Sequence, residues 1–402
     1  MTRVLFLTES FHPVLGGGEN HIRLLADRLA KRGMAVTVLT RRGSKAWARD
    51  EMLGGVRVLR VPPPGGGRLG KYLMVPAALA SLVRHRAEYD LVVVRGGRVL
   101  GLPGVLLARL LGLGAVLQPE VTGELSGEVY LWGTALDTPL VRRLLGIPLA
   151  LRNRLLRRAD AFVAISRPIR DEIVAAGVPL ERVELIPHGV DTQLFRPAAE
   201  GERRRLRESL AWPQDARVLV FTGRLLRGKG LEVLFEAFRS VLDTHKDARL
   251  VLVGSGEGQA LSVEGDLRRA AAEEPLASRV KFAGRVDNVQ DYLRAADLFV
   301  FPSLFEAMPL SVIEAASCGL ASVASRVGGI PDVLEDDRSG VLVAPNDAHG
   351  LAEAVTALLE DEERRKRLGS AARERVLGLF DLETSLGRYE RLFSSLAEPA
   401  AR

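Results

Sequence analysis

The chain has 402 residues, 56 Lys and Arg against 50 Asp and Glu, a net charge of +6 and one cysteine. That length is more than one compact core accommodates and predicts two domains of about 200 residues each. Only seven of the 56 cations are lysine and few arginines stand among aromatics, so the basic balance reads as a compositional skew and argues against nucleic acid as a partner.

Cys318, set among Ala315, Ala316, Ser317 and Gly319, excludes an internal disulfide framework and predicts a packing role in a reducing compartment. The N-terminus is too short for a signal peptide, and no apolar run reaches the roughly 18 residues of a membrane span. A cytoplasmic protein is expected, peripheral at the inner face of the membrane if it meets lipid at all.

In chain order, β-rich runs stand at Arg3–Thr8, Ala35–Thr40, Val56–Val61, Asp90–Arg95, Gly114–Gln118 and Asp160–Ile165. A second set follows at Arg217–Thr222, Arg249–Val253, Arg279–Ala283, Asp297–Phe301, Ala321–Ala324 and Val341–Val343. Continuous apolar runs with helical stretches between them predict strands buried on both faces, hence an α/β fold of two tandem doubly wound units. Pro187 and Gly189 break the chain between the sets. The expected domains are 1–188 and 189–380, with a last helix in 381–402 that has no obvious strand partner and is expected to return to the N-terminal domain.

After the first strand comes a glycine-rich loop, Gly16-Gly17-Gly18-Glu19, before a helix. Free N–H groups and the helix dipole there suit a phosphate, although a flexible turn has the same composition. The G-x-G-x-x-G spacing is missing, and the second strand ends in Thr40-Arg41-Arg42 with no acid for a nicotinamide ribose. Pro62–Gly67 is a surface loop. After the fifth strand, Glu120, Glu124 and Glu128 are interleaved with Gly123, Ser126 and Gly127. This loop is either an acidic surface or a set of carboxylates at the end of the sheet, where Glu120 could serve as general base. Leu140–Arg158 is arginine-rich and amphipathic, either a solvated helix face or a contact with an anionic membrane.

In the second half, Phe221-Thr222-Gly223-Arg224-Leu225-Leu226-Arg227-Gly228-Lys229-Gly230 follows a buried strand and precedes an amphipathic helix. Arg224 and Lys229 are placed to neutralise a diphosphate, with Arg227 ranked below them; an exposed basic turn is the alternative. Further on, Ser303–Glu314 runs from a strand through Glu306 into a helix. Pro309 is expected as its first residue, leaving the N–H groups of Leu310 and Ser311 open to an anion. Glu314 shares their face by i,i+3 and i,i+4 spacing.

Together these residues resemble the retaining GT-B glycosyltransferases of glycosyltransferase family four, most strongly from Ser166 to Asp347. The resemblance implies two Rossmann-like domains facing a cleft and transfer of a sugar from a nucleotide-diphosphate-sugar donor to an unidentified acceptor. It places the diphosphate on Arg224 and Lys229, Glu306 beside the transferred sugar and Glu314 on the ribose. Gly16-Gly17-Gly18, Gly254-Ser255-Gly256 and Val327-Gly328-Gly329-Ile330 also match. Many relatives carry a histidine where this chain reads Gln118-Pro119-Glu120, and Glu120 takes that place in the alignment. No Asp-x-Asp stands in a suitable position, so neither metal nor cofactor is expected. A nucleotide-sugar 2-epimerase and a donor-binding protein without catalysis are the rival readings of the same fold.

Overall fold

The apolar runs form two parallel sheets in the computed structural model, which describes all residues except 15, 66–68, 132–137, 260 and 398–402. The chain divides into two units, residues 1–188 with the segment from Thr384 onward, and residues 189–383.

The first unit holds strands β1 (Arg3–Leu7), β2 (Ala35–Arg41), β3 (Asp50–Leu53), β4 (Val56–Val61), β5 (Leu91–Arg95), β6 (Gly114–Gln118), β7 (Ala161–Ala164) and β8 (Val183–Leu185). They lie in the order β3-β4-β2-β1-β5-β6-β7-β8, parallel except where β3 runs antiparallel to β4. Two of these eight, β3 and β8, are absent from the sequence reading. Both are edge strands. Asp50-Glu51-Met52-Leu53 alternates charge with apolar residues and Val183-Glu184-Leu185 is three residues long, as edges exposed to other chains tend to be. Helices α1 (Gly17–Lys31), α2 (Gly70–Arg84), α3 (Leu102–Leu110), α4 (Glu128–Leu131), α5 (Pro139–Leu156) and α6 (Arg167–Ala175) connect them.

The second unit has six strands, matching the six runs read from its sequence: β9 (Val218–Thr222), β10 (Arg249–Val253), β11 (Val280–Gly284), β12 (Leu298–Phe301), β13 (Ser322–Ser325) and β14 (Val341–Val343). Their order is β11-β10-β9-β12-β13-β14, the doubly wound arrangement in which winding reverses between first and fourth strands. Helices α7 (Glu202–Ser209), α8 (Leu231–Thr244), α9 (Glu264–Ala270), α10 (Val289–Ala295), α11 (Leu310–Ser317), α12 (Ile330–Val333), α13 (Ala348–Glu360) and α14 (Glu362–Leu379) cover it. In α8, Leu231, Leu234, Phe238 and Val241 are buried, the i, i+3, i+7 stripe that turns this helix onto the sheet.

A last helix, α15 (Leu382–Ala397), packs on the first unit from Thr384 onward. Tyr389 and Phe393 are fully buried, Phe393 stands edge-on to Phe6 with centroids 6.0 Å apart, and Tyr389 Oη donates to Gln118 Oε1 at 3.3 Å. Ser385 Oγ donates to the Pro187 carbonyl at 3.1 Å. Aromatic packing and satisfied polar tips, rather than strand pairing, hold this helix.

Candidate functional site

In the second unit winding reverses between β9 and β12, and the loops leaving these two strands are the two sequence motifs, residues 223–230 and 302–309. Ligands of open α/β sheets bind at such a reversal. Here backbone contacts join the loops. The Gly228 carbonyl accepts from the Leu304 N–H at 3.0 Å and lies 3.1 Å from Ser303 Oγ. Gly230 sits at φ +65°, and a Cβ there would lie 1.9 Å from the Pro302 carbonyl oxygen. Only glycine permits that approach.

The side chains follow. Lys229 Nζ forms an ion pair with Glu306 Oε1 and lies 5.4 Å from the centre of the Phe301 ring. Ser303 Oγ donates to the same Glu306 oxygen at 2.7 Å. Sequence reading gave Lys229 to a diphosphate and Glu306 to a sugar; the structure pairs the two with each other. Arg224 is exposed and has no ion pair among the described residues; the same holds for Arg227, so the loop carries two open cations. Glu306 is also held from behind: a Cβ on Gly328, at φ +51°, would come within 1.6 Å of its carbonyl oxygen. Gly254, at φ +131°, meets the Gly223 carbonyl in the same way, at 1.9 Å, and brings the end of β10 against the arginine loop.

Pro309 is the N-cap of α11, with an extended backbone (φ −80°, ψ 112°), rather than its first residue. Its carbonyl accepts from the N–H groups of Val312 and Ile313. Proline's fixed φ suits the capping position as well, and the helix begins one residue later than expected. In α11 only Leu310, Ser311 and Glu314 keep some exposure, each of them half-buried, so its one accessible face carries the predicted residues. Burial alone pushes the Glu314 carboxyl up to about 7. Cys318, one turn beyond, is buried and its thiol is pushed up to about 12, which leaves it unreactive.

In the first unit the reversal lies between β1 and β5. The glycine loop follows β1, and Gly16 caps α1 with extended backbone and no side-chain bond. Glu19, in the first turn, accepts from Ser10 Oγ at 2.7 Å. Arg95 ends β5 with its side chain 3% exposed, and Nη2 pairs with Glu120 Oε1 at 2.5 Å. The loop after β6 is fixed by α6, whose Glu172 accepts the N–H groups of Gly123, Leu125 and Ser126, each at 2.7 Å. From α5, Arg152 donates to the Glu124 carbonyl at 2.6 Å and Asn153 to that of Leu125 at 2.9 Å.

The three acids of this loop part ways. Glu120 is partly open, Glu128 begins α4 on the surface, and Glu124 is buried. Glu124 accepts the Gly97 N–H, and burial drives its carboxyl up to about 7. Sequence reading also missed Arg95, Glu172 and His21. His21, buried on α1, stacks on His188 with ring centroids 4.0 Å apart, and burial first, then His188 and Arg95, hold it well below its ordinary pKa. The signal for Arg95 was present as a charge closing an uninterrupted apolar strand. Glu172 and His21 sit at unremarkable helical spacings.

Among the described residues no cluster of His, Cys, Asp or Glu could hold a metal ion, and no helix is long and apolar enough to cross a membrane.

Two family descriptions match in tandem, Glycosyltransferase Family 4 over residues 15–194 and Glycosyl transferases group 1 over residues 202–375. The D-inositol 3-phosphate glycosyltransferase of Xylanimonas cellulosilytica is 31% identical over 374 residues, covering 89% of this chain and 87% of the relative. The chain belongs to glycosyltransferase family four. A GDP-mannose-dependent alpha-(1-6)-phosphatidylinositol monomannoside mannosyltransferase of Mycobacterium tuberculosis is 29% identical to this glycosyltransferase, covering 99% of this chain and 98% of the relative. The solved sucrose-phosphate synthase of Thermosynechococcus elongatus shares its fold, with a TM-score of 0.84 at 24% identity over 100% of both chains. Anabaena HepE, solved with UDP-glucose, superposes with a TM-score of 0.75 at 22% identity, over 98% of this chain and 100% of that one. The glycosyltransferase is thus an enzyme with two Rossmann-like units of the GT-B type.

Proposed function

We propose that the enzyme transfers a sugar, with retention of anomeric configuration and without a metal ion, from a nucleoside-diphosphate-sugar to an inositol phosphate or phosphatidylinositol-type acceptor. The observation that carries the donor half is the meeting of Arg224, the Lys229–Glu306 pair and the open α11 face at the reversal point of one sheet. In this reading the donor's diphosphate lies against Arg224, Lys229 and the N–H groups of Leu310 and Ser311, which stabilise the departing charge. Drawing Lys229 toward phosphate frees Glu306 to face the developing positive charge on the sugar. Glu314 holds the ribose hydroxyls, with Gly254 giving close backbone approach. Glu120 accepts the hydrogen bond of the acceptor hydroxyl. The acceptor class rests on the relatives' names, which include D-inositol 3-phosphate and phosphatidylinositol mannoside substrates.

A phosphoinositide acceptor implies contact with an anionic membrane, and α5 has the surface for it. Leu140, Leu144, Ile147 and Leu151 share one helical face, with exposures from 59% at Leu151 to 80% at Ile147. Exposed Arg143, Arg154 and Arg158 border that face, and no acid occurs in α5. Apolar anchors beside cations match an anionic lipid surface. Replacing Leu144 and Ile147 by Ser should abolish co-sedimentation with phosphatidylinositol vesicles and leave turnover of water-soluble acceptors intact.

The test of function is a panel of UDP-glucose, UDP-N-acetylglucosamine and GDP-mannose, each with D-inositol 3-phosphate or phosphatidylinositol vesicles. One donor should raise the melting temperature by mass action and yield a product of retained configuration. Arg224→Ala should weaken nucleoside-diphosphate binding by about 2 kcal/mol, as loss of a charge-assisted bond does. An epimerised donor, binding without any product, or an inverted product would overturn the proposal.

A further inference from the structure

A guanidinium as enclosed as that of Arg95 needs partners, because an unpaired buried charge is costly. It has two, on different loops. Nη1 donates to the carbonyl of Gly18, in the first turn of α1, at 3.3 Å. Nη2 pairs with Glu120 Oε1 at 2.5 Å. Gly18 follows β1 and Glu120 follows β6, while Arg95 ends β5 between them. One side chain therefore ties the glycine loop to the acidic loop across the point where winding reverses.

Glu120 leads into a main chain that is secured separately, by Glu172, which accepts the N–H groups of Gly123, Leu125 and Ser126. The Glu120 side chain is 37% exposed, and among the described residues its only ion pair is with Arg95. The loop thus stays in place through backbone bonds, and Arg95 decides where the carboxylate points. The fork of an arginine can serve two acceptors at a fixed angle, which the single ammonium of a lysine cannot.

We propose that Arg95 is a positioning residue for transfer, fixing the Glu120 carboxylate relative to the glycine loop and acting on the reaction through Glu120. This rests on the reading of Glu120 as the group that meets the acceptor. A guanidinium that merely filled the interior would lower stability when lost, whatever stood at position 120.

The test is a double-mutant cycle with Arg95→Met and Glu120→Gln. Transfer is measured from UDP-glucose or GDP-mannose to D-inositol 3-phosphate, whichever donor turns over, and UDP or GDP affinity is measured alongside. Glu120→Gln should lower kcat by about 100-fold or more. Arg95→Met should lower it by roughly 10- to 100-fold, the range of strongly coupled neighbours. Nucleotide affinity should be unchanged in both. The double variant should be no slower than Glu120→Gln alone, within about twofold. Arg95→Lys should recover part of the loss, and it carries the same cycle if Arg95→Met does not fold. Full additivity of the two losses, with Glu120→Gln still impaired, overturns the role of Arg95 alone. Normal transfer by Glu120→Gln overturns the Glu120 reading and this proposal with it.

Discussion

Replacing Lys229 with Met tests the ion pair at the centre of the proposed donor site. The lysine and glutamate side chains are 21% and 10% exposed. Removing the cation leaves the Glu306 carboxylate with only the Ser303 hydroxyl, at 2.7 Å. Orphaning one ion of a fully buried pair costs about 3–5 kcal/mol. Since a fifth of Lys229 already meets water, about 2 kcal/mol is expected, roughly thirtyfold in the unfolding equilibrium. Adding Glu306→Gln removes the stranded charge and keeps an acceptor for Ser303, so the double variant should regain most of that loss. Urea unfolding followed by Trp212 fluorescence, with Trp47 and Trp132 replaced by Phe, reports the second unit, where Trp212 is buried. Nucleotide titration of the same proteins should show weak binding in both Lys229 variants, since neither offers the cation. A double variant that is less stable than Lys229→Met by the full effect of Glu306→Gln would refute the reasoning.

Glu314 has its carboxyl raised to about 7 by burial, so the folded protein holds a proton there that the unfolded chain has released, and stability falls as pH climbs from about 4.5 to 7. Glu314→Gln should therefore be more stable than the parent above pH 7 and indistinguishable below pH 4.5, by thermal melts across that range, while binding nucleotide more weakly; equal melts at every pH would contradict it. Gly328→Ala requires a φ of +51° and a Cβ 1.6 Å from the Glu306 carbonyl oxygen, so it should cost about 2–4 kcal/mol in strain and displacement and cut turnover more than Gly378→Ala, where nothing lies within 4 Å. On the proposed donor site, turnover should survive excess chelator, because Arg224 and Lys229 would balance the diphosphate in place of a divalent ion; loss restored by Mg²⁺ would rule that out.

Sequence reading found the buried strands because parallel sheets demand apolar residues on both faces, and runs such as Leu91–Val94 allow little else. It missed β3 and β8, whose edge positions remove that demand. The loop motifs were legible for the same kind of reason: Gly230, Gly254 and Gly328 stand where backbone meets backbone. What spacing could not convey was which side chains meet. Lys229 and Glu306 are 77 residues apart and pair only because β9 and β12 are neighbours. Glu124 and Glu120 differ by four positions in one loop, yet one is buried and the other half open, a distinction made by Gly97 and Arg95 at and just after the end of β5.

The return of α15 to the first unit has a consequence for synthesis. Phe6 leaves the ribosome before residues 189–383 and its partner Phe393 after them, so that stretch emerges whole while the first sheet still lacks the aromatic side chains that close it. The later unit is then the earlier one able to fold, reversing the usual N-terminal-first order. Until Phe393 has emerged, the nascent β1–β5 region presents an apolar hollow to chaperones, and a chain stopped after Glu383 would keep that hollow open.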